Sequence, residues 1–473
     1  MYIDGNWVET GSTFDVFNPA NGEKIGEVAD GDASDARLAI EAASKAFATW
    51  STTTAYERYE KLHRAYELMM EEQSSLAELM TREQGKPLKA AMNEVKYAAD
   101  FLLWFAEEAK RLYGETIPSA RSDQRFLVMK QAIGVVAAIT PWNYPVSMIT
   151  RKVAPALAAG CTIVLKPAEA TPLCAMAVFR ILERAGFPAG VLNLVTCDSP
   201  AAIGEEFCSN SVVKKLTFTG STAVGQKLSQ AAAPQLKRVS MELGGHAPFI
   251  VFDDADPVHA AKGAALVKFL NTGQACISPN RIFVQRSILE PFLETLQFRI
   301  SKMKAGDGMQ EGVAIGPLVN QQAIDKVDNQ VRDAMDKGAS LHCGGERLSK
   351  GELDKGFFYS PTLLSEVNSR MLIYREETFG PVAPVIVFDT QEEVLAMAND
   401  THYGLAAYVY TRDISRALRM FEGLQFGIIG INDINPTSAA APFGGMKESG
   451  LGREGAREGI DEYLETKLAG ISI

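Results

Sequence analysis

The residues of this chain that could do chemistry stand in short loops punctuated by glycine and proline. The stretch Asn271-Thr-Gly-Gln-Ala-Cys276-Ile-Ser-Pro-Asn280 puts a cysteine in a polar, turn-forming setting. A catalytic thiol needs partial exposure and a means of becoming thiolate, and Cys276 has the surroundings of an exposed loop. Cys161 and Cys174 lie among apolar residues and read as core packing. Met241-Glu242-Leu-Gly244-Gly245 carries a carboxylate at the end of a strand, with the glycines leaving backbone room around it. Desolvation there would raise its pKa toward working pH and make it a general base. Pro141-Trp142-Asn143-Tyr144-Pro145 sets an asparagine between two prolines that fix the local backbone. Its amide can donate to a developing oxyanion. Taken singly, each of the three also reads as a structural turn.

Two further loops have the placement of a ligand site. In Thr162-Ile-Val-Leu-Lys166-Pro-Ala-Glu169-Ala-Thr171-Pro172, Thr171 is a candidate N-cap and Pro172 a first helical residue. Lys166 and Glu169 therefore fall between the end of a strand and the start of a helix. A carboxylate there can accept both ribose hydroxyls of an adenosine and repels an added 2′-phosphate, which favours NAD over NADP. Gly220 and Ser221 follow a strand in the same way, and ligands of open α/β sheets lie beyond the carboxyl ends of strands. The ordinary alternatives are a surface ion pair and a tight turn.

Several motifs are decoys. Gly450-Leu-Gly452-Arg-Glu-Gly455 spells G-x-G-x-x-G, but no apolar strand precedes it and too little chain follows for a βαβ unit. Gly220-Ser-Thr-Ala-Val-Gly225 begins like a P-loop, but Gln226 stands in place of the required lysine. The chain has no G-x-S-x-G elbow, no H-E-x-x-H, no C-x-x-C pair and no histidine spacing suited to a metal.

The elements that must position these loops are legible from periodicity. From about residue 30 to 111 apolar residues recur at helical spacing, as in Leu62, Ala65, Tyr66 and Met69. From Gly134 onward short apolar runs alternate with helix-like stretches: 134–140, 162–165, 191–195, 215–219 and 249–252. A second series follows at 281–284, 384–388, 406–410 and 427–431. This predicts an α/β protein of two parallel-sheet domains in sequence, with a boundary near Phe252. Residues 125–130 and 463–473 fit neither sheet. They read equally as an ordinary hairpin or as a protruding arm that pairs between subunits.

Composition narrows the class. The 473 residues are 47% hydrophobic and carry a formal net charge of -11, which suits a folded multidomain protein and makes nucleic acid a poor partner. Six cysteines in so long a chain are too sparse for a disulfide-stapled secreted module. The N-terminal residues lack the basic and apolar regions of a signal peptide, and no apolar run approaches membrane length. The expectation is a reduced, cytoplasmic protein without a membrane partner.

In order and spacing, the loops resemble the aldehyde dehydrogenase superfamily over essentially the whole chain. The matching stretches are 141–145, Lys166 to Glu169, 218–221, Glu242 to Gly245, Gly273 to Cys276, Glu377-Thr-Phe379-Gly-Pro381 and Pro442-Phe-Gly-Gly-Met-Lys-Glu-Ser-Gly450. The resemblance implies that Cys276 attacks the aldehyde carbon to give a hemithioacetal, whose oxyanion Asn143 and the Cys276 N–H stabilise. Hydride passes to nicotinamide, and Glu242 activates water to release the acid. It implies a cofactor site along Thr140, Trp142 and Asn143, then Lys166, Pro167, Ala168 and Glu169. Gly220, Ser221, Val224 and Leu243 would continue it, with Glu377 and Phe379 at the nicotinamide ribose and ring. It also implies two doubly wound domains, a Rossmann-like NAD-binding one (1–113 with 133–252) and a catalytic one (253–445). Residues 114–132 and 446–473 become a β-strand oligomerisation arm and C-terminal segment of a homodimer or homotetramer. NAD is the preferred cofactor, with NADP possible.

Within the superfamily the chain looks most like the succinate-semialdehyde dehydrogenases, through Met148-Ile-Thr-Arg151-Lys152 and the tail from Gly450 to Lys467. There Arg151 would bind the far carboxylate of the substrate, and Thr437 would offer a hydroxyl. Two positions depart from that pattern. Leu270 stands where a second anion-binding arginine is usual, and Ser278 where a second cysteine is frequent. Sulfolactaldehyde, glycolaldehyde or lactaldehyde are the alternative substrates, and a CoA-acylating enzyme the alternative chemistry.

Overall fold

The computed structural model describes residues 1–473. The helical half begins with four helices, Ala33–Trp50, Ala55–Glu71, Gln73–Gln84 and Leu88–Ala109. The first two are started by capping boxes, Asp32 with Asp35 and Thr54 with Glu57, each satisfying N–H groups that the first turn leaves open.

The central strands of the first sheet run parallel in the order Leu192–Leu194, Thr162–Lys166, Val135–Ile139, Val213–Thr219, Arg238–Glu242. The chain winds outward from Val135–Ile139 in one direction, then returns and winds outward in the other. The reversal opens a crevice beyond the carboxyl ends of Val135–Ile139 and Val213–Thr219. Strand period fills both faces: Val135, Ala137 and Val164 enter one apolar layer, while Val136, Ala138 and Ile163 enter the other. The second sheet has the order Ser340–Cys343, Thr362–Ser365, Val382–Phe388, Pro279–Gln285, Ala247–Val251, Ala406–Tyr410, Ile428–Ile431. Only Ser340–Cys343 is antiparallel to its neighbour. This is the doubly wound α/β class expected from the alternating runs. No helix is long and apolar enough to cross a membrane.

One expectation needs correction. The boundary near Phe252 falls too late. Ala247–Val251 pairs with Pro279–Gln285 and Ala406–Tyr410 at the heart of the second sheet, so the chain changes sheet at the Gly244-Gly245 turn. An apolar run does not declare which sheet it joins, because both are buried on two faces. Residues 125–130 and 463–473, left open between a hairpin and an inter-subunit arm, pair with each other within the chain. Gln124–Ala132 pairs antiparallel with Leu464–Ser472, and Glu115–Ile117 adds a third strand. Partners more than 300 residues apart cannot be matched from local pattern.

The crossing between sheets places the site. Glu242 ends a strand of the first sheet, and the second sheet starts at Ala247. Cys276 precedes Pro279–Gln285, and Glu377 precedes Val382–Phe388. The carboxyl edge of one sheet thus meets the amino edge of the other.

Candidate active site

A cleft of about 260 Å³ lies at this meeting. Trp142, Asn143, Gly220 and Ser221 line it from the crevice of the first sheet; Cys276, Glu377 and Phe379 line it from the second. A roomier groove of about 510 Å³ beside Asp256, His259 and Arg412 holds no nucleophile paired with a base.

The loop that carries Cys276 is strained and held. Asn271 and Thr272 have φ of 49° and 60°, and Gly273 follows at 75°. A β-branched residue in the left-handed region is costly. Thr272 Oγ1 is fixed by accepting from the Gly316 N–H at 2.9 Å. Gly273 is required because a Cβ there would stand 2.1 Å from the Gly380 carbonyl oxygen. Gly245 is required likewise, since its Cβ would stand 2.3 Å from the carbonyl oxygen of Cys276. The glycine pair after Glu242 is what lets the cysteine loop approach.

Cys276 is half-buried, and desolvation pushes its thiol up to about 12, with Arg151 pulling it down and Glu242 and Glu377 adding to the rise. Its backbone N–H makes no backbone hydrogen bond. Asn143 Nδ2 donates to the Gln274 carbonyl at 3.0 Å. An amide nitrogen has two N–H groups, so one remains for the cleft. Glu242 is 4% exposed, and neither carboxylate oxygen has a hydrogen-bond partner. Burial raises its pKa well above the carboxylate range, and Glu454 raises it further, against Arg151 and Lys152. Burial thus disfavours the charged form of both the thiol and the carboxyl.

The cofactor-side residues fall around the crevice. Trp142 and Phe379 meet edge to face with centroids 5.7 Å apart. Glu377 Oε1 accepts the Gly245 N–H at 2.9 Å. Thr219 and Thr378 line the cleft, and their buried hydroxyls have no partner. Orphaned hydroxyls beside aromatic rings and a carboxylate suit a nucleotide's ribose and ring. Leu243 lines the cleft too, whereas Thr140 is buried with its N–H on the Lys166 carbonyl at 3.2 Å. Lys166 and Glu169 form an ion pair at the end of Thr162–Lys166, next to the buried Pro167 and Ala168. Val224 is 44% exposed in the first turn of Thr222–Ala232.

A family model, Aldehyde dehydrogenase family, matches residues 7–469. The chain belongs to the aldehyde dehydrogenase family. It is 51% identical over 473 residues to succinate-semialdehyde dehydrogenase [NADP(+)] GabD of Escherichia coli, covering all of this chain and 97% of that one. It is 51% identical to glutarate-semialdehyde dehydrogenase of Pseudomonas putida, again covering all of this chain and 97% of the relative. The crystal structure of an E. coli NADP-dependent enzyme superposes with a TM-score of 0.98 at 51% identity, covering all of this chain and 98% of that chain. This aldehyde dehydrogenase is accordingly an oxidoreductase acting on aldehydes.

Three residues singled out from the sequence have unexpected surroundings in this aldehyde dehydrogenase. Arg151 is not an open fork in the cleft. It is 1% exposed, 2.8 Å from Glu454, with its guanidinium 3.9 Å from the Phe443 ring centroid. Its Nη1 meets the sulfur of Met148, and it is Met148 that lines the cleft. Arg151 and Lys152 are buried in the helix Ser147–Ala159, none of which is exposed, so two cations had to find an anion. Glu454 supplies it to both, with Lys152 at 2.6 Å. Burial works against the Glu454 carboxylate, but Lys152 and Arg151 hold its pKa below the ordinary value. Thr437 stays half-exposed in a loop and does not line the cleft. Thr171 occupies the N-cap position, but its hydroxyl caps nothing. Glu83 takes the N–H groups of Leu173 and Cys174 instead, at 2.6 and 2.8 Å.

Sequence reasoning passed over Glu454, which lies inside the rejected G-x-G-x-x-G decoy. The one available signal was a helix whose period left Arg151 and Lys152 no exposed face. Lys326 and Ala323 also line the cleft, from the helix Gln321–Asp336, and no motif marked them.

Proposed function

We propose that this enzyme oxidises a short aldehyde with an anionic far end, succinate semialdehyde first, to the carboxylic acid. The observation that carries the reading is that Cys276 and Asn143 line one cleft from two loops, with Glu242 buried at a strand end close enough to Cys276 to raise its thiol. Cys276 loses its proton to solvent and attacks the carbonyl carbon as the thiolate. Asn143 Nδ2 and the Cys276 N–H receive the oxyanion, and both have a free N–H in the resting state. NAD(P), when bound, would supply the hydride acceptor that lets the hemithioacetal collapse. The acyl group is then a thioester on Cys276. Glu242, buried and without a hydrogen-bond partner, takes a proton from the attacking water in its ionised form. Trp142, Phe379, Glu377, Thr219 and Thr378 would hold the nicotinamide half, and Lys166 with Glu169 the adenosine ribose.

NAD is the better cofactor and NADP is also accepted. Glu169 supports this by repelling a 2′-phosphate. Its ion pair with Lys166 weakens the repulsion and leaves a cation at hand. Arg151 binds the far anion once Met148 turns aside, because Arg151 Nε has no partner. The names of the semialdehyde dehydrogenases at 51% identity support the anionic substrate. The three-stranded arm supports a homodimer or homotetramer, since most of Leu464–Ser472 is exposed.

The test is a panel of aldehydes with and without a carboxylate or sulfonate at the far end, run with NAD and NADP. Highest kcat/KM for the short anionic members, with free acid as product, is expected. Equal rates with neutral aldehydes refute the substrate, and acyl-CoA formation in place of acid refutes the hydrolytic chemistry.

A further inference from the structure

The turn that carries Asn143 is gripped at both ends by a buried ion pair that the reaction does not consume. Lys86 lies between the helices Gln73–Gln84 and Leu88–Ala109, and Glu94 on the second of them. Their side chains are each 1% exposed and bonded to each other. Lys86 Nζ also donates to the main-chain carbonyl of Asn143 at 2.8 Å. Glu94 Oε1 accepts the N–H groups of Val146 and Ser147 at 3.0 and 3.2 Å. The cation thus holds a carbonyl where the turn begins. The carboxylate holds two amides where it ends and the helix Ser147–Ala159 starts. The Tyr144 ring packs against the ammonium with its centroid 4.0 Å away.

A second grip comes from the nucleophile loop. Asn271 Nδ2 donates to the same Asn143 carbonyl at 2.9 Å and to the Gln274 carbonyl at 3.1 Å. The Gln274 carbonyl also accepts the Asn143 side-chain amide. The main chain of Asn143 is therefore tied to Lys86 and to the cysteine loop together. A buried salt bridge returns little net stability against an apolar pair of similar volume. This one fixes the tilt of a peptide plane, which an apolar pair cannot do. An oxyanion donor must lie within hydrogen-bond distance of where the charge develops.

We propose that Lys86, held by Glu94, is a positioning residue for the oxyanion site, setting the Asn143 peptide so that its amide faces the carbonyl attacked by Cys276. This rests on the assignment of Asn143 as oxyanion donor. Lys86 does not line the cleft. Its loss should slow acyl-enzyme formation while leaving the thiol and the cofactor site intact.

The test is a double-mutant cycle on the full-length enzyme, with Lys86→Met and Asn143→Ala made singly and together. Single-turnover formation of reduced cofactor reports acylation. Cofactor Kd and the rate of Cys276 alkylation by iodoacetamide report the rest of the site. Lys86→Met is expected to slow acylation about tenfold to a hundredfold, the scale of a displacement of about 1 Å. Kd and alkylation should stay within about twofold. In the Asn143→Ala background the same change should cost less than about threefold, because what it positions is gone. An equal loss in both backgrounds, or none in the wild type, overturns the proposal. Unchanged acylation in Asn143→Ala alone has a different signature: the oxyanion assignment fails, and the role of Lys86 with it. If Lys86→Met does not fold, Lys86→Met/Glu94→Gln goes through the same cycle. It leaves no unpaired buried charge and keeps an acceptor for Val146 and Ser147.

Discussion

Replacing Glu242 by glutamine separates the two halves of the reaction. The side chains are isosteric, so the 4%-exposed site keeps its shape. What is lost is a carboxylate with no hydrogen-bond partner, raised well above its ordinary pKa by burial and then by Glu454. A base tuned toward working pH contributes roughly 10²- to 10⁴-fold, about 3–5 kcal/mol of barrier. Thioester hydrolysis should fall by that amount. Acylation should fall less, because Glu242 is one of the groups that raise the Cys276 thiol and its removal eases thiolate formation. The assay is rapid-mix formation of reduced cofactor. Glu242→Gln should give a burst of about one equivalent per active site, then a slow steady state. The pH dependence has a fixed sign. Glu242 must be ionised to act, so wild-type deacylation should climb about tenfold per pH unit up to its raised pKa. In Glu242→Gln that limb should flatten. Glu454→Gln should move it to lower pH, since it removes the neighbour that raises Glu242 and frees Lys152 and Arg151. A variant with no burst, or a steady state within about threefold of wild type, refutes the assignment of Glu242 to water.

Arg151→Met should raise KM for anionic aldehydes about tenfold or more and leave neutral ones little changed. It should also lower Tm, because Glu454 loses one of its two buried partners. Equal losses across the aldehyde panel would show a structural role only. Glu169→Ser should raise the NADP/NAD ratio of kcat/KM about tenfold, by removing the charge that opposes the 2′-phosphate and freeing Lys166; an unchanged ratio refutes the reading of that loop. Gly245→Ala should lower kcat/KM about a hundredfold in steady-state assays, since its Cβ would stand 2.3 Å from the Cys276 carbonyl and push the nucleophile loop away. Near-wild-type activity would mean that the loop has room to yield.

Much of the site was legible because its residues sit at strand ends, where apolar runs stop and glycine or proline takes over. The runs at 134–140 and 215–219 became Val135–Ile139 and Val213–Thr219, and the residues after them meet at the crevice between those two strands. Trp142, Asn143, Gly220 and Ser221 were found this way, Cys276 by its polar turn-forming loop, and all five line one cleft. The charge partners were not legible. Glu454 meets Lys152 across 302 residues, and Lys86 reaches the Asn143 carbonyl across 57. Glu83 caps a helix 90 residues away where Thr171 was expected to. No local spacing encodes such a pairing, and a lysine or glutamate in a helical stripe reads as a solvated face until packing buries it.

Local composition therefore determined which side chains could react, that the chain would form parallel sheets, and that turns would fall beyond particular strands. These follow from the period of the apolar residues and the backbone limits of glycine and proline. Tertiary structure decided the electrostatics: that Glu242 is buried without a donor, that Arg151 faces Glu454 before any substrate, and that Lys86 holds Asn143. The physical reason is that the strength of a charge depends on the dielectric around it and the partner beside it. Both exist only once distant segments have packed together.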